Sequence, residues 1–294
     1  LVGSEMCIRD RNNMNNFFVI ANADKDTDFE LTRTVCDFLT QKGAACTYQE
    51  KDNFTKYNYA NPANVPSKTD CIIVLGGDGT LIQAARDLCT LDIPVFGVNL
   101  GNLGYLTEID REQIFPALQL LLDDKVFIDN RILIEGKVIR NNEEIYSGLA
   151  LNDIVLNRVG PLQVINFDLY VNEEFLISYP ADGLIVATPT GSTAYNLSAG
   201  GPIVKPENDI MVVTPVCPHT LNKSSIILDG SDILEIVLSR TKNGREERAV
   251  SFDGGKYFKV ISGDKIVITR ASDIVRLVHT KKHNFLQILR NKMS

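Results

Sequence analysis

A change of hydrophobic period near Val126 constrains this chain more than any other feature. Before it, short apolar runs alternate with helical spacings. Phe17–Ala21 (FFVIA) reads as a buried strand. Leu31, Val35, Phe38 and Leu39 recur at helical spacing, with Thr27 or Asp28 as cap and Gly43 as terminator. The polar stretch Gln49–Thr69, with its two Pro, predicts a loop. Cys71–Leu75 (CIIVL) predicts a second strand, about Thr80–Cys89 a helix, Pro94–Asn99 a third strand, and about Glu112–Leu122 another helix. Strand and helix in alternation imply a parallel sheet with crossover helices. After Val126 the runs RILIEGKVI, LALNDIVLNR, INFDLYVNEEFLI, GLIVAT, SIILDG, ILEIVLS and KIVITR are strand-like, with hairpin signals such as Arg140–Glu144 between them. That pattern is mostly antiparallel and all-β. Phe285, Ile288 and Leu289 then share one helical face, so a short closing helix is expected.

The expected fold is thus an α/β N-terminal domain with a parallel sheet plus a mostly antiparallel all-β C-terminal domain, and 294 residues suffice for both. The expected boundaries are 14–123, 124–268 and a C-terminal segment 269–294. The opening run LVGSEMCIRDR has no initiator Met and no apolar signal-peptide core. It resembles translated vector sequence, so residues 1–13 read as a non-native leader and Met14 as the start.

The formal charge of −7 argues against a nucleic-acid polymer as partner, because such binding rests on neutralising phosphates. The last segment, Arg270–Ser294, is basic: it carries +5 and leaves −12 on the rest. This is a solvated helix face or a positive surface near an anionic ligand. No apolar run approaches the ~20 residues that span a bilayer, so no membrane is expected as partner. Six Cys (7, 36, 46, 71, 89 and 217) lack CxxC spacing, and there are three His. Reduced thiols in a cytoplasm are the reading, with no zinc site and no disulfide framework.

Four constellations carry chemistry. The first is Gly76-Gly77-Asp78-Gly79-Thr80, after CIIVL and before a helix. The glycines allow a tight turn and close ligand approach, and free N–H groups there suit phosphate oxygens. The position is the C-terminal edge of a parallel strand, where open α/β sheets place ligands. Asp78 is the only acid in the turn. Beside phosphates it points to Mg2+ binding or to a general base acting on a hydroxyl, with a helix cap as the alternative. Neither GxxxxGK[ST] nor GxGxxG occurs. The second is Gly97–Thr107, whose Gly101 and Gly104 imply another tight loop at the same edge, structural or ligand-binding. The third is Asn152-Asp153, adjacent polar residues in an apolar segment, suited to ribose hydroxyls and a base edge or to a bulge or hairpin end. The fourth is Asp182-Gly183 followed by Thr188–Pro202 (TPTGSTAYNLSAGGP). Ser192 and Thr193 can cap a helix or donate to a ligand, and Tyr195 can stack on a ring. GxSxG is absent, so a hydrolase elbow is not supported.

Taken with NLGNLGYLTEI (99–109), DGLIVATPTGSTAYNLSAGGPIV (182–204) and TPVCPHTL (214–221), these residues closely resemble the NAD kinase family, from about Phe17 to the last helix. GGDGT alone is shared with 6-phosphofructokinases and diacylglycerol-type lipid kinases; the long 188–202 stretch is specific to NAD kinases. The resemblance implies an α/β nucleotide-binding domain, a β-rich NAD-binding domain, and a C-terminal segment returning to the first domain. It implies transfer of a phosphoryl group from ATP, with Mg2+ or another divalent cation, to the 2′-hydroxyl of the adenosine ribose of NAD, giving NADP. Homodimers or homotetramers are also implied.

Carried over by residue, Asp78 would be the general base. Gly76, Gly77, Gly79 and Thr80 would cradle phosphates, with Asp78 and Gly79 also touching NAD. Asn152 and Asp153 would hold the adenosine and Asp182 the nicotinamide end. Thr193, Ala194, Tyr195, Asn196, Leu197 and Ser198 would line the dinucleotide pocket, with Tyr195 against a ring. No particular metal ligand is implied. The chain departs from the family's usual residues at Asp153, where Glu is usual, and at Gln163, Pro180 and Gly255. Two rivals remain: a lipid or sugar kinase sharing the glycine turn, and a non-catalytic NAD-binding sensor.

Overall fold

Continuous apolar runs need cover on both faces, and the N-terminal runs obtain it in a parallel sheet. The computed structural model describes residues 14–49, 60–101, 104–107, 109–160, 164–220, 223–239, 247–255, 257–281 and 285–293. The expected leader 1–13 and Gln163 lie outside the described residues. The chain divides into two units. One takes the described residues up to Asn130 and those from Ile274 onward; the other is Arg131–Asp273.

The first unit opens with β1 (Asn16–Ala21), α1 (Glu30–Gln41), β2 (Ala45–Tyr48), β3 (Cys71–Gly76), α2 (Asp78–Asp87), β4 (Val95–Asn99), β5 (Ile109–Asp110) and α3 (Ile114–Leu122). Strands run parallel in the order β2-β1-β3-β4, with β5 beside the end of β4. Every residue of β3 and β4 is buried, which explains why CIIVL and VFGVN lack alternation. Helices α1 and α3 supply Val35, Leu39, Ile114, Leu118 and Leu121 to one core with Phe17, Val19, Ile73 and Phe96.

Two details differ from the sequence reading. The cap of α1 is Asp26, not Thr27 or Asp28: its carboxylate accepts from Leu31 N and Thr32 N, both at 2.9 Å. Asp28 and Phe29 adopt left-handed conformations (φ 59° and 56°), and this kink carries residues 27–28 away from the helix mouth. The strand β2 was not expected at all. It is a four-residue edge strand, alternately exposed and half-buried, too short to print a period on the sequence.

The second unit follows with β6 (Phe127–Arg140), which begins just before the boundary, then β7 (Glu143–Ala150), β8 (Asp153–Val159), β9 (Ile165–Val171), β10 (Glu174–Ala181), β11 (Gly183–Ala187), the short helix α4 (Tyr195–Ser198), β12 (Ile210–Val216), β13 (Ile226–Asp229), β14 (Leu234–Leu238), β15 (Glu247–Phe252), β16 (Tyr257–Val260) and β17 (Lys265–His279). One sheet runs β13-β12-β11-β8-β15-β16, antiparallel throughout. The other pairs β10-β9-β14-β17 antiparallel, with β6 beside β17 and β7 beside β6. Ile154, Leu156, Leu184, Val186 and Val250 of the first meet Phe167, Leu169, Ile236 and Ile268 of the second in one core. Beyond Ile274, β17 leaves this unit: Leu277 and Val278 pair parallel with β4, and α5 (Phe285–Met293) closes the first unit. The unit boundaries fall inside β6 and β17, each of which runs on past its boundary.

Two of the strand-like runs each span parts of two strands, and in one of them the hairpin end offered for Asn152-Asp153 is what the structure holds. INFDLYVNEEFLI folds as the hairpin β9–β10, turning at Asn172-Glu173 with φ of 50° and 70°. Positive φ at both central residues is the type I′ signature, and an Asn-Glu pair hides it because Gly is the usual second residue. LALNDIVLNR is the end of β7 and the start of β8, with Leu151-Asn152 as the bend between them. Among the described residues, no helix is long and apolar enough to cross a membrane.

Candidate active site

The turn after β3 builds the first site. Gly77 is extended (φ −134°) and leads directly into α2, whose first residue is Asp78. The first intrahelical bond runs from Leu81 N to Gly77 O at 3.0 Å, so the N–H groups of Asp78, Gly79 and Thr80 have no partner within the helix. Gly76 is needed for packing: a Cβ there would lie 2.6 Å from Thr80 Cβ.

Asp78 is held from across the sheet edge by the loop after β4. Its Oδ1 accepts from Leu106 N (3.2 Å), Thr107 N (3.0 Å) and Thr107 Oγ1 (2.8 Å); among the described residues its Oδ2 accepts from Tyr105 N (2.6 Å). Gly104 allows this approach, since a Cβ on it would fall 1.8 Å from Asp78 Oδ1. A carboxylate oxygen offers about two lone pairs. Oδ1 is therefore saturated, and Oδ2 keeps acceptor capacity.

A cavity of about 640 Å³ opens here, lined by Gly77, Asp78, Gly79 and Thr80 among the expected residues. Gly76 does not line it. Asn22, Lys25 and Lys292 do, and the sequence reading missed all three as site residues. Asn22 Nδ2 donates to Thr80 Oγ1 at 3.1 Å. Lys292, on α5, stands 5.4 Å above the Tyr105 ring, so the basic segment places one of its charges at this cavity.

The second unit holds a second cleft, of about 370 Å³, lined by Asn152, Asp153, Ala194 and Tyr195 together with Asn157, Ser251 and Asp253. The bend at Asn152 is organised by Asp253, a residue sequence reasoning passed over within SFDG. Asp253 Oδ2 accepts from Leu151 N (3.0 Å), and Oδ1 accepts from Asn152 N (2.7 Å) and Asp153 N (3.2 Å). In return Asp253 N donates to Asp153 O at 3.0 Å. Gly191 seals the other side: a Cβ there would stand 2.0 Å from Asn152 O.

The remaining expected residues lie outside this cleft's lining. Asn196 is fully buried and spends its side chain on scaffolding: Nδ2 donates to Ser192 O and Pro202 O, and Oδ1 accepts from Thr214 Oγ1 at 2.7 Å. Thr193 and Leu197 are half-buried and Ser198 is exposed. Asp182 pairs with Arg158 at 2.9 Å. Tyr195 is 41% exposed, which leaves its ring open for a ligand to stack on. Pro180 sits in β10, where its carbonyl accepts from His219 N at 2.8 Å, and Gly255 closes the turn after β15.

Burial, and then the negative charge of Asp253, push the Asp153 carboxyl up to about 7. An unfolded Asp titrates near 4. The folded protein therefore holds a proton that the unfolded chain releases, so this group's stabilising contribution is full below about pH 4 and lost as pH rises through about 7. Asp153→Asn should remove that loss. Thermal melts from pH 5 to 9 are expected to show the variant gaining on the parent as pH rises; a gap that stays constant would refute a buried charge at this position.

A parallel sheet whose glycine turns surround one acid at a helix start, in one chain with an antiparallel unit bearing its own polar cleft, suits a nucleotide-handling phosphotransferase. Comparison with known proteins agrees. Residues 17–126 match the ATP-NAD kinase N-terminal domain and residues 151–280 the ATP-NAD kinase C-terminal domain. The NAD kinase of Lachnospira eligens is 46% identical over 293 aligned positions, covering 95% of this chain and 100% of that protein. The NAD kinase of Agathobacter rectalis is 45% identical, covering 95% and 99%. The fold is similar to that of yeast NADH kinase, solved in complex with NADH, at a TM-score of 0.82 and 24% identity over 96% of this chain and 88% of that one. The chain belongs to the NAD kinase family.

Proposed function

We propose that this chain transfers the terminal phosphoryl group of ATP to the 2′-hydroxyl of the adenosine ribose of NAD, yielding NADP. The carrying observation is Asp78: one carboxylate at the floor of a glycine-lined cavity, beside the N–H groups that open the first turn of α2. Oδ2, with one hydrogen bond from the described residues, is the oxygen that takes the proton from the attacking hydroxyl. The N–H groups of Gly79 and Thr80 face phosphate oxygens, where the helix start favours negative charge.

Asn152 and Asp153 hold the adenosine, Tyr195 stacks on a ring, and Asp182 takes the nicotinamide end. Thr193, Leu197 and Ser198 flank the pocket, and Asn196 serves by bracing the 190–204 segment. Mg2+ fits as a companion of the donor phosphates, since Asp78 is the only carboxylate among the described residues that line the first cavity. Among the described residues no group of three His, Cys, Asp or Glu is placed to hold a metal. When bound, the cation neutralises phosphate charge in the transition state. The same reading puts the enzyme in the cytoplasm as a homodimer or homotetramer.

Incubation with NAD, ATP and Mg2+, followed by a dehydrogenase-coupled readout, is expected to yield NADP. Phosphorylation of diacylglycerol or a sugar phosphate instead, or tight NAD binding with no ATP-dependent product, would overturn the assignment.

A further inference from the structure

The glycine turn lacks the lysine that follows the glycines of a Walker loop, yet a lysine from elsewhere in the chain reaches the same cavity. Lys25 lies in the loop between β1 and α1 and lines the cavity beside Gly77, Asp78 and Thr80. Its Nζ stands 3.2 Å from the place a Cβ would take on Gly77 and 2.7 Å from that place on Gly101. The ammonium thus lies directly over the glycine turns that end β3 and β4, in space that any larger side chain at Gly101 would claim.

The loop that presents it is tied down on both sides. Asn22 O accepts from Lys25 N (3.0 Å) and Asp26 N (2.9 Å), and Asn22 Oδ1 accepts from Asp24 N (3.0 Å). Asn22 Nδ2 is anchored on Thr80, and Asp26 caps α1. Among the described residues, no carboxylate pairs with Lys25. An exposed lysine ordinarily sweeps out many rotamers, but this one hangs from a backbone fixed by its neighbours at the mouth of an anion-suited cavity.

We infer that Lys25 is the donor-phosphate lysine of this enzyme, its ammonium binding the β- and γ-phosphate oxygens of ATP over the glycine turns. The assignment rests on the phosphotransferase reading above. A compact cation with three rotatable donors suits a phosphate chain. In phosphoryl transfer the developing charge spreads over the transferred group's oxygens, so a cation there acts by electrostatic stabilisation.

The test compares Lys25→Met and Lys25→Arg with Lys42→Met, a charge-removing control at the end of α1. Calorimetry follows binding of inorganic triphosphate with Mg2+, and steady-state kinetics separates ATP from NAD. Lys25→Met is expected to weaken triphosphate binding and lower kcat/KM for ATP by about 10–100-fold. The KM for NAD and the melting temperature should stay unchanged, Lys25→Arg should recover part of the loss, and Lys42→Met should behave as the parent. Unchanged ATP parameters in Lys25→Met, or equal losses toward NAD and ATP with a lowered melting temperature, would overturn the assignment. A parent that makes no NADP while Lys25→Met still loses triphosphate binding would instead sink the kinase reading and leave the lysine in place.

Discussion

Asp78→Asn is expected to lower NADP production by about 10²–10⁴-fold, the usual contribution of a positioned general base. Two effects add. The amide has no basic oxygen for the ribose hydroxyl proton. It also cannot reproduce the carboxylate's hydrogen bonds: if its oxygen takes the Oδ1 place facing Leu106 and Thr107, its NH2 group confronts Tyr105 N–H, donor against donor. The loop at Gly104–Thr107 should therefore relax locally while the core, which contains none of these groups, keeps its melting temperature close to the parent's. Coupled NADP assays and melting curves on the same preparation check both parts. Near-normal turnover would remove Asp78 from the role of base.

Asp253→Ala carries the second large effect, and it falls on the other unit. Three backbone N–H groups, of Leu151, Asn152 and Asp153, lose their common acceptor. Each buried donor left unsatisfied costs about 1–3 kcal/mol. Asp253 is only partly buried, so water replaces some of the lost bonds and a net cost of about 3 kcal/mol is expected. The bend that presents Asn152 and Asp153 loses its shape, and the KM for NAD should rise well before kcat changes. The like charge that raises the Asp153 carboxyl also disappears, so that group should titrate lower than in the parent, with burial still holding it above an ordinary Asp. An unaltered melting temperature together with an unaltered KM for NAD would show that Asp253 is dispensable.

The sequence made the parallel half of the fold readable because full burial writes uninterrupted apolar runs such as CIIVL, and helices print their own period. It concealed β2 and the hairpin turn at Asn172-Glu173, where edge position and an unusual turn residue erase the local signal. At the site, Gly76–Thr80 stood out because glycines around a lone acid at a strand's end favour a bound ligand over a plain turn. Lys25 and Asp253 did not, since each acts on residues distant along the chain: Lys25 over Gly77 and Gly101, Asp253 on the bend at 151–153. A lysine in a polar loop and an Asp-Gly after a strand look ordinary until the chain has folded. The expected roles for residues 193–198 illustrate the reverse case, a motif read whole whose members divide between an exposed residue at Tyr195 and an internal brace at Asn196.

The course of β17 sets the order in which the protein can be finished at the ribosome. Arg131–Asp273 is one uninterrupted stretch, so its two sheets can assemble as soon as that stretch has emerged. The α/β unit begins first and ends last. The parallel neighbour of β4, Leu277–Val278, and the helix that brings Lys292 to the cavity at Asp78 are made only after the β unit is complete. A nascent chain stalled at Asp273 therefore holds the glycine turn and Asp78 without the strand that borders β4.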